Sequence, residues 1–196
     1  MWLNQSVRPV RWLLPMVMGC FAACSVTAES PELVQTEYRV KAAFLYNYAK
    51  LVDWPTNAFA TSSTPITIGV LGQDPFGPAL EKTIDGKKIG DRGLAIKRFR
   101  SVGDIHDCHV LFICQSERGR LPVILAALQG KSILTVGECD HFVESGGMIQ
   151  LIKQDDAVRF RVNLGAANRA SLRISSKLLR VAERVVADDR EENRSP

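Results

Sequence analysis

The chain has 196 residues, 46% of them hydrophobic and 23% charged, with a formal net charge of +4. That length suits one domain with a sizeable core, and the near-balanced charge gives no reason to expect nucleic acid as a partner. No internal repeat or low-complexity segment interrupts it.

Residues 1–28 read as an export signal. Arg8 and Arg11 supply a positive start, Trp12 to Val26 is apolar apart from Ser25, and Val26-Thr27-Ala28 places small residues before Glu29. The apolar stretch is short for a membrane span, so cleavage is expected rather than retention as an anchor. Ala22-Ala23-Cys24 offers a lipoprotein site as an alternative, with Phe21 a poor residue at its start. Taking Arg8 and Arg11 from 25 basic residues leaves 23 against 21 acids, a net +2 for the mature chain.

Val34, Tyr38, Ala42, Leu45, Ala49 and Val52 recur at three- and four-residue steps, in a run free of Gly that ends at Trp54-Pro55. This spacing predicts a long, largely buried helix, its face widened by Val40, Phe44 and Leu51. Lys41 projects into the apolar stripe with Glu37 one turn earlier; such an amine needs a partner or a route to water, and a buried ion pair with Glu37, or with a more distant acid, is expected. The segment 60–65 is a surface loop.

Ile66 to Leu71 then reads as a buried strand and Phe76 to Ile84 as a short helix. Leu94 to Phe99 and His109 to Cys114 are further strands, the latter a continuous apolar run suited to the centre of a sheet. Leu121 to Gln129 is a helix with Pro122 in its first turn and Gly130 at its end. Ser132 to Val136 is another strand. Met148 to Ile152 and Val158 to Val162 form an antiparallel hairpin across Gln154-Asp155-Asp156. A short helix runs through Ala170, a final helix is expected from Ser175 to about Ala187, and Asp188 to Pro196 is a polar tail without periodicity. The alternation of strand and helix predicts a single compact α/β domain over 29–187: a mainly parallel mixed sheet flanked by helices, with a C-terminal hairpin and helix.

Three cysteines remain in the mature chain. Cys108 and Cys114 bracket one strand, roughly 20 Å apart, too far to bridge. Cys114 and Cys139 follow the ends of successive strands, so Cys114–Cys139 is the preferred disulfide with Cys108 free; three reduced buried thiols are the alternative. His106, Asp107, Cys108 and His109, and later Cys139, Asp140 and His141, are metal-ligand types, but the first group enters its strand and the second leaves its own. No shared metal site and no cofactor are expected, and His109 reads as a start-of-strand residue. No hydrolase signature is present. Gly72, Asp74 and Gly77 lie in a strand-to-helix loop that could cradle a small anion, although such loops are more often tight turns. Arg169, Arg173, Lys177, Arg180 and Arg184 recur at helical steps, a solvated charged face or a contact for an acidic partner.

Residues 41–50 followed by Trp54-Pro55 resemble the opening helix of the YfiR family of periplasmic proteins. The resemblance continues through 66–77, 108–113, 133–137, 146–149, 158–163 and 175–179, in order, over about residues 37–186. It implies an α/β fold and a non-catalytic periplasmic repressor. Such a protein binds the periplasmic sensor region of a membrane-bound diguanylate cyclase and holds down cyclic di-GMP synthesis and biofilm formation. An outer-membrane lipoprotein that sequesters the repressor is implied as a second partner. A homodimer is expected, with Trp54, Phe76 and Arg180 as candidate contact residues. The other classes left open are a periplasmic small-molecule-binding module serving another receptor and an enzyme with an unrecognised site.

Overall fold

The computed structural model describes residues 31–187; the segments read as an export signal and a polar tail lie outside the described residues. The predicted first helix is α1, Pro31–Leu51, with Pro31 in its first turn, where the missing N–H is no loss. Ala42, Leu45, Tyr48 and Ala49 are buried on its core face. Val40 does not widen that face; it is 42% exposed, and Leu33 is 60% exposed. The helix gives way to β1, Val52–Asp53.

The chain continues through β2 (Ile66–Leu71), α2 (Ala79–Ile84), β3 (Lys88–Ile89), β4 (Arg92–Phe99), β5 (Val110–Ile113), α3 (Leu121–Ala127), β6 (Leu134–Gly137), β7 (Ile149–Gln154), β8 (Ala157–Asn163), α4 (Leu164–Arg169), β9 (Arg173–Ile174), α5 (Ser176–Leu179) and β10 (Arg184–Val186). The main sheet has the order β10-β8-β7-β6-β5-β2-β4-β3, while β1 pairs with β9 in a separate antiparallel ribbon. β4, β2, β5, β6 and β7 are parallel. β7 and β8 form the antiparallel hairpin. The architecture is the α/β domain with a mainly parallel mixed sheet that the alternation predicts.

Alternating side chains supply two cores. Val110 and Phe112 of β5, with Cys114 just past its end, face a layer that includes Ala42, Leu45 and Tyr48 of α1. Leu111 and Ile113 face the opposite layer, built on Leu121, Ile124 and Leu125 of α3 and on Phe142. A strand with both faces covered reads as an unbroken apolar run, which is why β5 is legible. The ring of Phe142 fills the space over two glycines: a Cβ at Gly137 would lie 2.3 Å from Phe142, and one at Gly147 2.2 Å.

His109 does what its place at the start of β5 suggests. Its Nδ1 accepts from the Thr67 amide at 3.1 Å, and its Nε2 donates to the Ala58 carbonyl at 3.1 Å. Phe59 stacks on the imidazole at 4.5 Å between centroids, and the Arg92 guanidinium lies 3.8 Å from the Phe59 ring centre. Arg92 also donates to the carbonyls of Thr61 and Thr64. The loop after α1 is thereby fixed to the sheet.

Two further expectations fail. The final helix stops after Leu179, and the chain turns into β10, which pairs in parallel with β8 from Arg184–Arg161 to Val186–Asn163. Val185 and Val186 suit a strand, and the free edge of β8 offers a ladder that outweighs the weak helical period. The basic residues therefore share no helix face: Arg169 ends α4, Arg173 is in β9, Lys177 in α5 and Arg184 in β10. The Cys114–Cys139 bridge is also not formed; Cys108, Cys114 and Cys139 are buried free thiols. The strands are adjacent, with Ile113 opposite Gly137. However, Cys114 packs into the α1 layer and Cys139 into the α3 layer, so the two sulfurs are on opposite sides of the sheet.

Candidate functional site

The pairing of β6 with β7 ends at Gly137–Gln150, while β7 runs on to Gln154 against β8. This overhang is the floor of a cleft of about 670 Å³ beyond the carboxyl end of β6, with α1 as one wall. Its lining includes Glu37, Tyr38 and Lys41 from α1, Glu138, Asp140 and His141 after β6, Gln150 to Gln154 of β7, Arg161 of β8, and Glu183.

At its centre is the ion pair the sequence predicts, enlarged. Lys41 Nζ is 2.5 Å from Glu37 Oε1 and also 2.5 Å from Glu138 Oε2. The Lys41 side chain is 6% exposed, and those of Glu37 and Glu138 are 15% and 10% exposed. Lys153 lies 3.6 Å from the second oxygen of Glu37. The Tyr38 hydroxyl donates to both carboxylate oxygens of Glu138, at 3.1 and 3.2 Å. Burial and the neighbouring Glu138 push the Tyr38 phenol well above its ordinary value, so it stays protonated and remains a donor. A lysine buried on an apolar helix face thus ties α1 to the end of a central strand. Sequence reasoning found Glu37 and missed Glu138, 97 residues away. The available signal is an acid directly after a buried strand that ends in Gly, the place where ligands and functional groups gather in open α/β sheets.

Gln150 is the second residue missed. It is 4% exposed, and its Nε2 donates to the Cys139 carbonyl at 2.9 Å, which orients the amide. Its Oε1 has no hydrogen-bond partner among the described residues.

The other predicted site residues do not converge here. Gly72, at φ +99°, packs against Ser116 and Glu117, and the Gln73 amide donates to Ser116 Oγ. Asp74 accepts from the Phe76 amide and from Arg98, which also reaches Glu81. In this loop the amides of Gly72, Gln73 and Phe76 are bonded to the Phe99 carbonyl, Ser116 and Asp74. Phe76 is 2% exposed, set edge-on to Tyr38 and Phe112, so it is a core residue and not a contact residue. Trp54 is half-buried at the β1 ribbon, with its indole Nε1 unpartnered among the described residues. Arg180 is exposed, beside Val181 at 68% exposure. Burial pushes the thiols of Cys108 and Cys114 up to about 12, which keeps both protonated and unreactive.

A mainly parallel mixed sheet covered by helices on both faces, with a polar cleft at its strand ends, defines a small α/β domain of the doubly wound kind. More narrowly, the chain belongs to the YfiR/HmsC-like family, whose family model matches residues 38–183. That family comprises periplasmic regulatory proteins of diguanylate cyclase signalling. The fold is similar to that of the ABC domain in complex with L-Trp from Streptococcus pneumonia, at 12% identity and a TM-score of 0.51, covering 74% of this chain and 60% of that one. A conserved domain protein from Vibrio cholerae O1 biovar El Tor is similar at 11% identity and a TM-score of 0.44, over 61% of this chain and 54% of the other. The chain thus spans about 60% or less of either structure. No curated protein matches it. Among the described residues, no helix is long and apolar enough to cross a membrane.

Proposed function

We propose that this protein is exported by a cleaved signal and represses a membrane-bound diguanylate cyclase by binding its periplasmic sensor region. It does so without chemistry of its own, keeping cyclic di-GMP and surface attachment low. The observation that carries this reading is membership of the YfiR/HmsC-like family across 38–183. An outer-membrane lipoprotein would relieve repression by sequestering it, and the working form would be a homodimer.

Of the contact candidates, Arg180 fits best. It lies on exposed surface with Val181, Arg184 and Val185 at the β10 edge of the sheet. An arginine among exposed apolar side chains has the composition of an interface anchor. Trp54 keeps a lesser claim from its half-buried ring, and Phe76 has none.

Deleting the gene should raise cellular cyclic di-GMP and attachment, and a copy lacking residues 1–28 should fail to restore the wild type. A copy carrying Arg180→Glu and Val181→Asp should behave like the deletion while its purified product keeps the wild-type melting temperature. Unchanged cyclic di-GMP after deletion would overturn the repressor reading. It would turn attention to the second reading, a periplasmic small-molecule-binding module, which the cleft of about 670 Å³ beyond β6 supports.

A further inference from the structure

One of the basic residues that share no helix face, Arg184, meets two others on the sheet. Phe160 and Val162 of β8 turn into the α1 layer, so Arg159 and Arg161 turn to the opposite face. Arg184 of β10 is in register with Arg161, and residues in register project to the same side, so it joins them. At the spacings of a sheet, the backbone of Arg184 is about 5 Å from that of Arg161, and Arg159 is about 7 Å from Arg161. Arg159 and Arg184 are exposed. Arg161 meets one carboxylate, Glu183 at 3.2 Å, whereas Arg159 and Arg184 meet none among the described residues. Like charges side by side on neighbouring strands repel, so the fold gains nothing from this row. A charge that only guarded the sheet edge would belong on β10, whereas Arg159 and Arg161 belong to β8, one strand further in.

We propose that this face of β8 and β10 docks an acidic segment of a protein partner, whose carboxylates are taken by Arg159, Arg161 and Arg184. The argument is charge complementarity: three guanidinium groups stand together, and Glu183 offsets only one. All three cations are arginines. Their planar fork takes a carboxylate through two hydrogen bonds, and arginine is enriched at protein interfaces where lysine is depleted. A bilayer is a poorer fit, because membrane-surface sites set projecting apolar side chains beside their cations. The apolar neighbours on this face, Ile152 opposite Arg159 and Val186 two residues beyond Arg184, are half-buried. The identity of the partner rests on the cyclase reading, in which the acidic segment belongs to the cyclase's periplasmic sensor region.

The probe is a terminally blocked peptide of alternating Glu and Thr, with its Gln and Thr counterpart as the neutral control. Fluorescence anisotropy with the mature protein should show saturable binding of the acidic peptide that weakens with added salt, and no binding of the control. In the wild type, the Nε–H resonances of Arg159 and Arg184 should shift along the same curve, a readout that needs no variant. The double variant Arg159→Gln, Arg184→Gln changes two exposed side chains without a carboxylate partner among the described residues, so it should keep the wild-type melting temperature. It should bind the peptide about fivefold more weakly or worse. Arg159→Lys with Arg184→Lys should fall between, keeping the charge and losing the fork. The purified sensor region of the cyclase should follow the same order. Absence of saturable peptide binding, equal binding of the neutral peptide, or an unchanged affinity in the Gln variant would each overturn the proposal. So would phosphatidylglycerol vesicles that bind through these arginines when the peptide does not, or free glutarate that displaces the peptide at equal concentration. A sensor region that binds the wild type and the Gln variant alike, with cyclic di-GMP still rising on deletion, would overturn the docking face and leave the repressor reading standing. Peptide binding lost in the Gln variant, with cyclic di-GMP unchanged on deletion, would support the face and remove the cyclase as its partner.

Discussion

Replacing Lys41 with Met tests the polar cluster that joins α1 to the sheet. Methionine keeps most of the apolar stem, so packing against the neighbouring helix face is largely retained, and what disappears is the ammonium. Two carboxylates, 15% and 10% exposed, then lose their shared counter-ion. Removing one partner of a buried ion pair typically costs about 3–5 kcal/mol, because the remaining charge stays desolvated. The lower end applies here: Tyr38 still donates to Glu138, and Lys153 still stands 3.6 Å from Glu37. A loss of about 3 kcal/mol corresponds to a fall of about 6–12 °C in melting temperature for a domain of this size. Urea unfolding followed by circular dichroism should show it as a lower midpoint at unchanged slope. Adding Glu37→Gln and Glu138→Gln to Lys41→Met should recover most of the loss, since a neutral set of similar volume carries no uncompensated charge. A single variant that loses less than about 1 kcal/mol, or a triple variant no better than the single, would show that these carboxylates reach water and that the cluster is a surface feature.

Three further outcomes follow from the same structure. Burial, opposed by the Ala58 carbonyl and reinforced by Arg92, holds the His109 imidazole below its ordinary value of 6.5. A depressed native value means that stability is lost as pH falls below 6.5 through that native value, so urea stability should drop from pH 7 to pH 5 more in the wild type than in His109→Gln, and parallel losses would contradict the assignment. The mature chain should give three titratable thiols when unfolded without reductant and almost none when native; a single thiol on unfolding would mean that two of Cys108, Cys114 and Cys139 are bridged. Gly137→Ala should cost roughly 1–3 kcal/mol by pressing its Cβ onto the Phe142 ring, and Phe142→Leu should relieve that added cost when combined with it; additive losses in calorimetry would show that the ring does not limit residue 137.

The parts of this fold that were legible in the sequence are those where one local pattern coincides with one burial environment. The α1 stripe from Tyr38 to Ala49 and the apolar runs of β2 and β5 are of this kind, because a long buried helix face and a doubly covered strand each leave a periodic trace. The last segment was misread because the spacing of Lys177, Arg180 and Arg184 is a helical spacing, whereas its structure is decided by the vacant edge of β8, which no local pattern reports. The cysteine pairing failed for a related reason. Adjacency of strand ends was readable from order, but side-chain facing depends on where each residue falls in the pleat, and one position separates the two layers.

The candidate site shows the same division more sharply. Lys41 could be recognised as anomalous from its own helix, because an ammonium within an apolar stripe demands a partner. Glu37 was visible as that partner because it is four residues away. Glu138 and Gln150 were not visible, since their proximity to Lys41 comes from the parallel stacking of β5, β6 and β7 and from β7 extending past the end of β6. A buried charge in a predicted helix therefore identifies where a site will assemble before it identifies the members. The members are then to be sought among the polar residues that follow the central strands, which is where Glu138 lies and also where the loop at Gly72, chosen from its glycines, bonds to Ser116 and to its own Asp74.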